Sequence, residues 1–316
     1  MAESVFNRRT MPIGARSYAA MLRDEWPLRW FDWPVEKGVQ TKGSILFQCG
    51  RGDIVEKYLE SFDHWHANGW HVSSFDWRGQ GGSGRLAADP RTGHISDFGI
   101  WVDDLAECWA KWVSETPGPH FAMGHSMGGH LVLRSIIEKR IDPAGAVLVA
   151  PMLGFDTGIM PVSLVAPIVR FLARRSPEKQ AWKENERPTL VNIRRQTFLT
   201  HDDTRYADEL WWKNEEPDLA MGPPSLSWLA QAHASTLSTE APGRLEGVMT
   251  PLLMIGTQGD RLVSPAAIER FAKRLPNATL KMFGPDVAHE ILREVDSPRD
   301  EAMGLIDQFL DRSLPQ

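Results

Sequence analysis

Cysteine is scarce in this chain. Cys49 and Cys108 are the two in 316 residues, too few for a disulfide framework, and neither falls in a metal-ligand spacing. Long apolar runs are missing as well. Near the start, Arg16, Arg23 and Asp24 interrupt any stretch that could form a signal core, and Arg8 with Arg9 lacks the apolar segment a twin-arginine leader needs. No signal peptide, export signal or membrane span is expected, and the cytoplasm is the expected location. Positive charge is not in surplus either. Lys and Arg number 35 against 41 Asp and Glu, a net charge of −6, which counts against nucleic acid as a partner and against strong attraction to anionic membranes. Repeats and low-complexity tracts are absent.

What remains is the composition of an ordinary globular protein, 42% hydrophobic and 24% charged. The length suits one large α/β domain carrying an insertion, or two domains. Residues 28–33, 44–48 and 71–77 read as strands, punctuated by Gly43, Gly50 and the Asn68–Gly69 pair. Between them, 53–68 repeats apolar residues at helical spacing, at Ile54, Tyr58 and Phe62. Ser96 is placed to cap a second helix with Phe98, Trp101, Val102, Leu105, Trp109 and Trp112 as its buried stripe. A fully apolar strand follows at 146–150. Strand and helix alternate, so the expected architecture is a mostly parallel sheet with helices on both faces.

The rhythm stops at 156 and resumes at 252–256, with a helix opened by Ser264 and Pro265, a strand at 278–283, and a last helix opened by Ser297 and Pro298. Residues 1–155 and 246–316 are expected to form the core, and 156–245 an inserted helical cap that is basic in its first part and acidic over 202–218.

The chemistry centres on Gly124, His125, Ser126, Met127 and Gly128, a Gly-x-Ser-x-Gly motif. Phe121, Ala122 and Met123 lead into it as a strand. Leu131, Val132, Leu133, Ile136 and Ile137 leave it at helical spacing. A serine on such a strand-to-helix turn has its hydroxyl exposed at the sheet's end, and the helix N-terminus aims amides and positive dipole at an oxyanion formed there. The hydroxyl needs a base, and the base an acid to fix its tautomer. In nucleophile-elbow enzymes the chain order is serine, acid, histidine. Of the later histidines, His130 is one turn into the nucleophile helix, while His201 and His233 fall in the cap. His289 lies in the loop after the final strand, where a base is needed. Asp260, in a turn straight after an apolar strand, is the expected acid. Asp156, past the preceding strand, is its rival, and Asp286 reads as a turn-former. Oxyanion amides are expected from Met127 and from Arg51 in the Gly50–Gly52 loop, leaving the Arg51 side chain for a phosphate contact or a structural pairing.

With these residues in view, the chain resembles α/β-hydrolase-fold serine hydrolases of the bacterial lysophospholipase and monoacylglycerol lipase-like group. The resemblance is carried by the 76–84 stretch with Asp76, Arg78 and Gly79, by the Ser126 motif, and by Asp260 and His289 in their settings. It implies Ser126, Asp260 and His289 as triad, and Arg51 and Met127 as oxyanion hole. One departure is visible: monoacylglycerol lipases usually open the oxyanion loop with His-Gly and follow it with Glu-His, where this chain has Cys49–Gly50 and Asp53–Ile54. The lysophospholipase-like reading is the better fit.

The implied reaction is cofactor-free ester hydrolysis through an acyl-enzyme, on single-chain acyl esters such as lysophospholipids or monoacylglycerols. The same residues suit a small-ester carboxylesterase, a thioesterase, an acyltransferase or a C–C hydrolase. A non-catalytic ligand-binding protein on the same scaffold is the alternative from another class. Arg78 reads as a structural partner within the 76–84 turn. His64, His66 and His71 are close in sequence, but two lie on the outer side of an amphipathic helix, so no metal site is expected. Most of the 13 tryptophans belong to helix–sheet packing; Trp211, Trp212 and Trp228, in the cap, are candidates to line an acyl tunnel. The nearly uncharged stretch 159–173, followed by Arg174 and Arg175, is either a lipid-facing helix giving weak peripheral membrane contact or the cap's inner face.

Overall fold

A computed structural model describes residues 6–36, 38–155, 162–182 and 195–314. Eight strands form one sheet: β1 (Arg16–Met21), β2 (Pro27–Trp33), β3 (Gly43–Gln48), β4 (Trp70–Phe75), β5 (His120–His125), β6 (Gly145–Val149), β7 (Leu252–Thr257) and β8 (Ala278–Phe283). Their order is β1-β2-β4-β3-β5-β6-β7-β8. β1 and β2 run antiparallel to their neighbours, and every pairing from β4 to β8 is parallel.

Burial on both faces of the pleat explains why β6 and β7 are nearly apolar throughout. Leu46, Leu148 and Met254 point into one core cluster, while Ile45, Phe47, Val147 and Ile255 point into the other. Helices α2 (Phe98–Glu115), α3 (Met127–Ile137) and α7 (Pro265–Arg274) cover the first face. Helices α1 (Leu59–Ala67) and α8 (Asp296–Arg312) cover the second. The expected stripe of α2 is buried as read, from Phe98 to Trp112.

Three local readings need correction. The cap of α2 is Asp97, whose side chain accepts from the Gly99 amide, and not Ser96. The helix expected over 53–68 begins as a 3₁₀ turn, Val55–Tyr58, before α1. The last helix starts at Asp296, one residue before Ser297. Strand β1 was not expected at all: it is an edge strand with mostly exposed residues, so no apolar alternation marks it.

Between β6 and β7 lie α4 (Val162–Arg175), α5 (Asp203–Glu215) and α6 (Leu226–Glu240). The described residues of this segment add no strand to the sheet. α5 begins with Asp202 accepting from the Arg205 amide, and α6 with Ser225 accepting from the Trp228 amide. No helix among the described residues is long and apolar enough to cross a membrane.

Candidate active site

Ser126 stands between β5 and α3 with φ 53° and ψ −117°, a conformation that costs a non-glycine residue energy and persists only where its surroundings hold it. Here they do. The Ser126 amide donates to the Val149 carbonyl at 2.9 Å, and its carbonyl accepts from His130 and Met152 at 3.1 and 3.0 Å. Close backbone approach explains the flanking glycines. A Cβ on Gly124 would lie 2.5 Å from the Gly128 carbonyl carbon, and one on Gly128 only 2.2 Å from the Gln48 oxygen. Helix α3 is thereby seated directly on the loop that leaves β3.

That loop carries Arg51. Its neighbours' amides are occupied, Gly50 N–H by Asp53 Oδ2 at 3.0 Å and Gly52 N–H by Gln80 Oε1 at 2.7 Å. No acceptor among the described residues engages the amide of Arg51, or that of Met127 at the first position of α3. A Cβ on Gly50 would come 3.3 Å from the Ser126 Cβ, which measures how closely loop and serine approach. The 76–84 stretch therefore does more than turn the chain, because Gln80 braces this loop. Arg78, as expected, is structural: it grips both carboxylate oxygens of Asp104 at 2.8 and 2.7 Å and reaches Asp24 at 2.7 Å.

His289 and Asp260 meet after β8 and β7. His289 Nδ1 lies 2.5 Å from Asp260 Oδ2, and both side chains are buried. The other Asp260 oxygen accepts from the Leu262 and Val263 amides at 2.8 and 2.9 Å. Burial works against a charged imidazole, but the Asp260 charge and hydrogen bond, aided by Glu290 and Asp53, outweigh it and hold His289 above its ordinary pKa. Asp260 is held below the usual carboxylate range: burial raises it, and the His289 charge and hydrogen bond with the two amides overcome this. The His289 backbone is tied to the β6–β7 segment, since its amide donates to the Phe198 carbonyl at 3.3 Å and that of Glu290 to Leu199 at 2.7 Å.

His130 and His201 are engaged elsewhere. His130 Nε2 meets the Ser235 hydroxyl at 2.7 Å, and burial with the nearby Arg134 charge pushes its pKa down to about 3. His201 pairs with Glu294 at 2.7 Å. Asp156 lies outside the described residues, as do 159–161 of the apolar stretch. The three tryptophans are not brought together. Trp211 and Trp212 pack on each other and on the N-terminal segment, Trp212 donating to the Arg8 carbonyl at 2.9 Å and Trp211 lying under the Arg9 guanidinium. Trp228 is buried against Phe98, with the Arg51 guanidinium 5.4 Å above its ring.

Sequence reasoning missed a buried ionic cluster under the Gly50–Gly52 loop. Asp53 accepts from Gly50, from Lys57 Nζ at 2.5 Å and from the Tyr58 hydroxyl at 2.7 Å. Tyr58 in turn lies 2.8 Å from His125 Nδ1, and the rings of His125 and His289 are 4.7 Å apart, centre to centre. Lys57 also reaches Glu290, beside His289, at 2.5 Å, and Glu209 of α5 at 3.3 Å. Glu209 further binds Lys213, Arg195 and Arg293 at 2.6, 2.9 and 3.2 Å. Asp53 and Lys57, four residues apart beside the expected oxyanion loop, were the available signal; the remaining members come from distant parts of the chain.

Among relatives, Lysophospholipase L2 of Escherichia coli (strain K12) is 29% identical over 92% of this chain and 85% of its own length. The monoglyceride lipase of Saccharomyces cerevisiae is 29% identical over 45% of this chain and 47% of its own. The crystal structure of a soluble variant of that yeast enzyme with a substrate analog superposes with a TM-score of 0.80 at 20% identity, covering all of both chains. The family described as serine aminopeptidase, S33, matches residues 39–296. An eight-stranded, mostly parallel sheet, a serine turn between β5 and α3, and that match lead to one statement: this chain is a member of the serine aminopeptidase S33 family, with the α/β-hydrolase fold.

Proposed function

We propose that the protein is a carboxylic ester hydrolase working through Ser126, His289 and Asp260. The observation that carries this reading is the 2.5 Å contact between His289 and Asp260, in the loops that follow neighbouring strands of the sheet bearing Ser126. In the reading, His289 takes the proton of the Ser126 hydroxyl as its oxygen attacks the ester carbonyl. Asp260 stabilises the imidazolium, and the Arg51 and Met127 amides receive the tetrahedral oxyanion. Collapse expels the alcohol, which takes the proton from His289. A water, deprotonated by His289, then cleaves the acyl-enzyme and returns the serine. No cofactor enters any step.

The relatives named lysophospholipase and monoglyceride lipase support single-chain acyl esters as substrates. The segment between β6 and β7 serves as the cap. Helix α4 suits contact with a lipid surface: Leu164, Ile168, Phe171 and Leu172 are exposed on it, and Arg170, Arg174 and Arg175 are its charged residues. A fluorophosphonate probe tests the core of the reading. Wild type is expected to be labelled and Ser126→Ala to remain unlabelled; well-folded wild type that takes no label defeats it.

A further inference from the structure

Most enclosed arginines among the described residues are paired with carboxylates; Arg85, held by several backbone carbonyls, is an exception. Arg29 faces Glu56 and Asp76, Arg78 faces Asp24 and Asp104, and Arg293 faces Glu209 and Glu290. Arg51 differs. Among the described residues no carboxylate forms an ion pair with it, although its guanidinium is enclosed between the oxyanion loop and the β6–β7 segment. One nitrogen, Nη2, donates to the Gly222 carbonyl at 2.6 Å, and the group lies over Trp228. Its Nε is buried with no acceptor. The nearest acid, Asp53, is already committed to Lys57, Tyr58 and the Gly50 amide.

The surroundings make the imbalance worse. The cluster behind the loop sets three carboxylates, Asp53, Glu209 and Glu290, against four cations, Lys57, Arg195, Lys213 and Arg293. Arg51 makes a fifth cation, and burial with the neighbouring Arg195 charge pulls its pKa down to about 10. A cation withdrawn from water is ordinarily matched by an anion. Among the described residues none pairs with Arg51.

We propose that the Arg51 side chain binds a phosphate group carried by the alcohol portion of the substrate, beside the ester whose oxyanion its own backbone amide receives. This rests on the ester-hydrolase reading and sharpens it. A guanidinium matches phosphate oxygens with paired, directed N–H groups. The position follows from chain geometry, because one residue contributes both contacts. A neutral glycerol leaving group would leave the surplus charge unmatched, whereas a glycerophosphate group would neutralise it. The site thus distinguishes lysophospholipids from monoacylglycerols.

The test compares kcat/KM for a lysophosphatidylethanolamine and a monoacylglycerol of the same acyl chain, both below their aggregation concentrations. The readout is the ratio of the two values within one preparation, which cancels any misfolded fraction. Arg51→Met is expected to lower the ratio by about 10- to 100-fold, the effect of losing one charge-assisted hydrogen bond, and Arg51→Lys to lower it less. Glycerol 3-phosphate is expected to inhibit hydrolysis of a neutral p-nitrophenyl ester by wild type more strongly than by Arg51→Met. An unchanged ratio in Arg51→Met overturns the proposal. So does inhibition by inorganic phosphate that Arg51→Met abolishes without moving the lipid ratio, since the site then serves free phosphate. Wild type inactive on every ester and unlabelled by the fluorophosphonate defeats the underlying hydrolase reading instead.

Discussion

Two histidines lie with ring centres 4.7 Å apart, each beside a buried carboxylate, yet their basicities move in opposite directions. His289, in the loop after β8, is raised; His125, at the end of β5, is lowered. Burial opposes the charged form of both. The difference is how each carboxylate spends its charge. Asp260 is met by two backbone amides and, among the described residues, by no lysine or arginine, so His289 at 2.5 Å is its main charged partner. Asp53 is shared among Lys57, Tyr58 and Gly50, and it stands 3.4 Å from His125. Burial therefore prevails at His125, and the neighbouring His289 adds to the depression. A nearby acid does not by itself make a histidine a base; an acid with no other counter-charge does.

The largest expected effect separates the two sites outright. Asp260→Asn is expected to lower kcat on an ester by a factor on the order of 10⁴, the consequence of losing the productive tautomer, while Asp156→Asn stays within a few-fold of wild type. Steady-state kinetics on a p-nitrophenyl ester measures both, and reversed results would move the acid to the earlier strand.

Asp53→Asn is expected to cost less, roughly 10- to 100-fold in kcat with little change in KM, because it loosens the loop that presents an oxyanion amide without removing that amide. Asp53→Glu is expected to recover part of the loss. A fall as deep as that of Asp260→Asn would erase the distinction between the sites.

The smallest effect lies in pH. A base must be neutral to accept a proton, so activity falls as pH drops through the His289 pKa. With that pKa raised, the acid limb of kcat/KM is expected to have its midpoint above the ordinary histidine value of about 6.5. Asp53→Asn is expected to move the midpoint slightly downward, since Asp53 adds a minor share of the raising charge. An acid limb well below 6.5 in wild type would mean that burial, not Asp260, governs His289.

The features legible in the sequence share a local signature. Strand β6, buried on both faces, reads as an unbroken apolar run, and Ser126 sits in a motif whose spacing reflects backbone contact between Gly124 and Gly128. Asp260 and His289 were readable because each lies in the loop that follows a strand, β7 and β8 respectively. The ionic cluster was not, because Asp53, Glu209 and Arg293 are paired by the fold and not by spacing. Strand β1 lacked burial to mark it, and the reading of Ser96 as cap passed over its neighbour Asp97, whose side chain accepts from the Gly99 amide.

Strands β6 and β7 are immediate parallel neighbours, with Ala146 opposite Leu252, although α4, α5 and α6 intervene in the chain. Because the strands are parallel, the segment leaves at the C-terminal end of β6 and rejoins at the N-terminal end of β7, so it must also carry the chain back along the length of the sheet. Its ends are pinned whatever lies between them, and doubling the length of such an excursion costs only about 0.6 kcal/mol of closure entropy. α6 is packed into the core through Trp228 and Ala232, and α5 enters the ionic cluster through Glu209, so α4 is the part of the segment that natural selection or a protein engineer can replace without re-registering a strand.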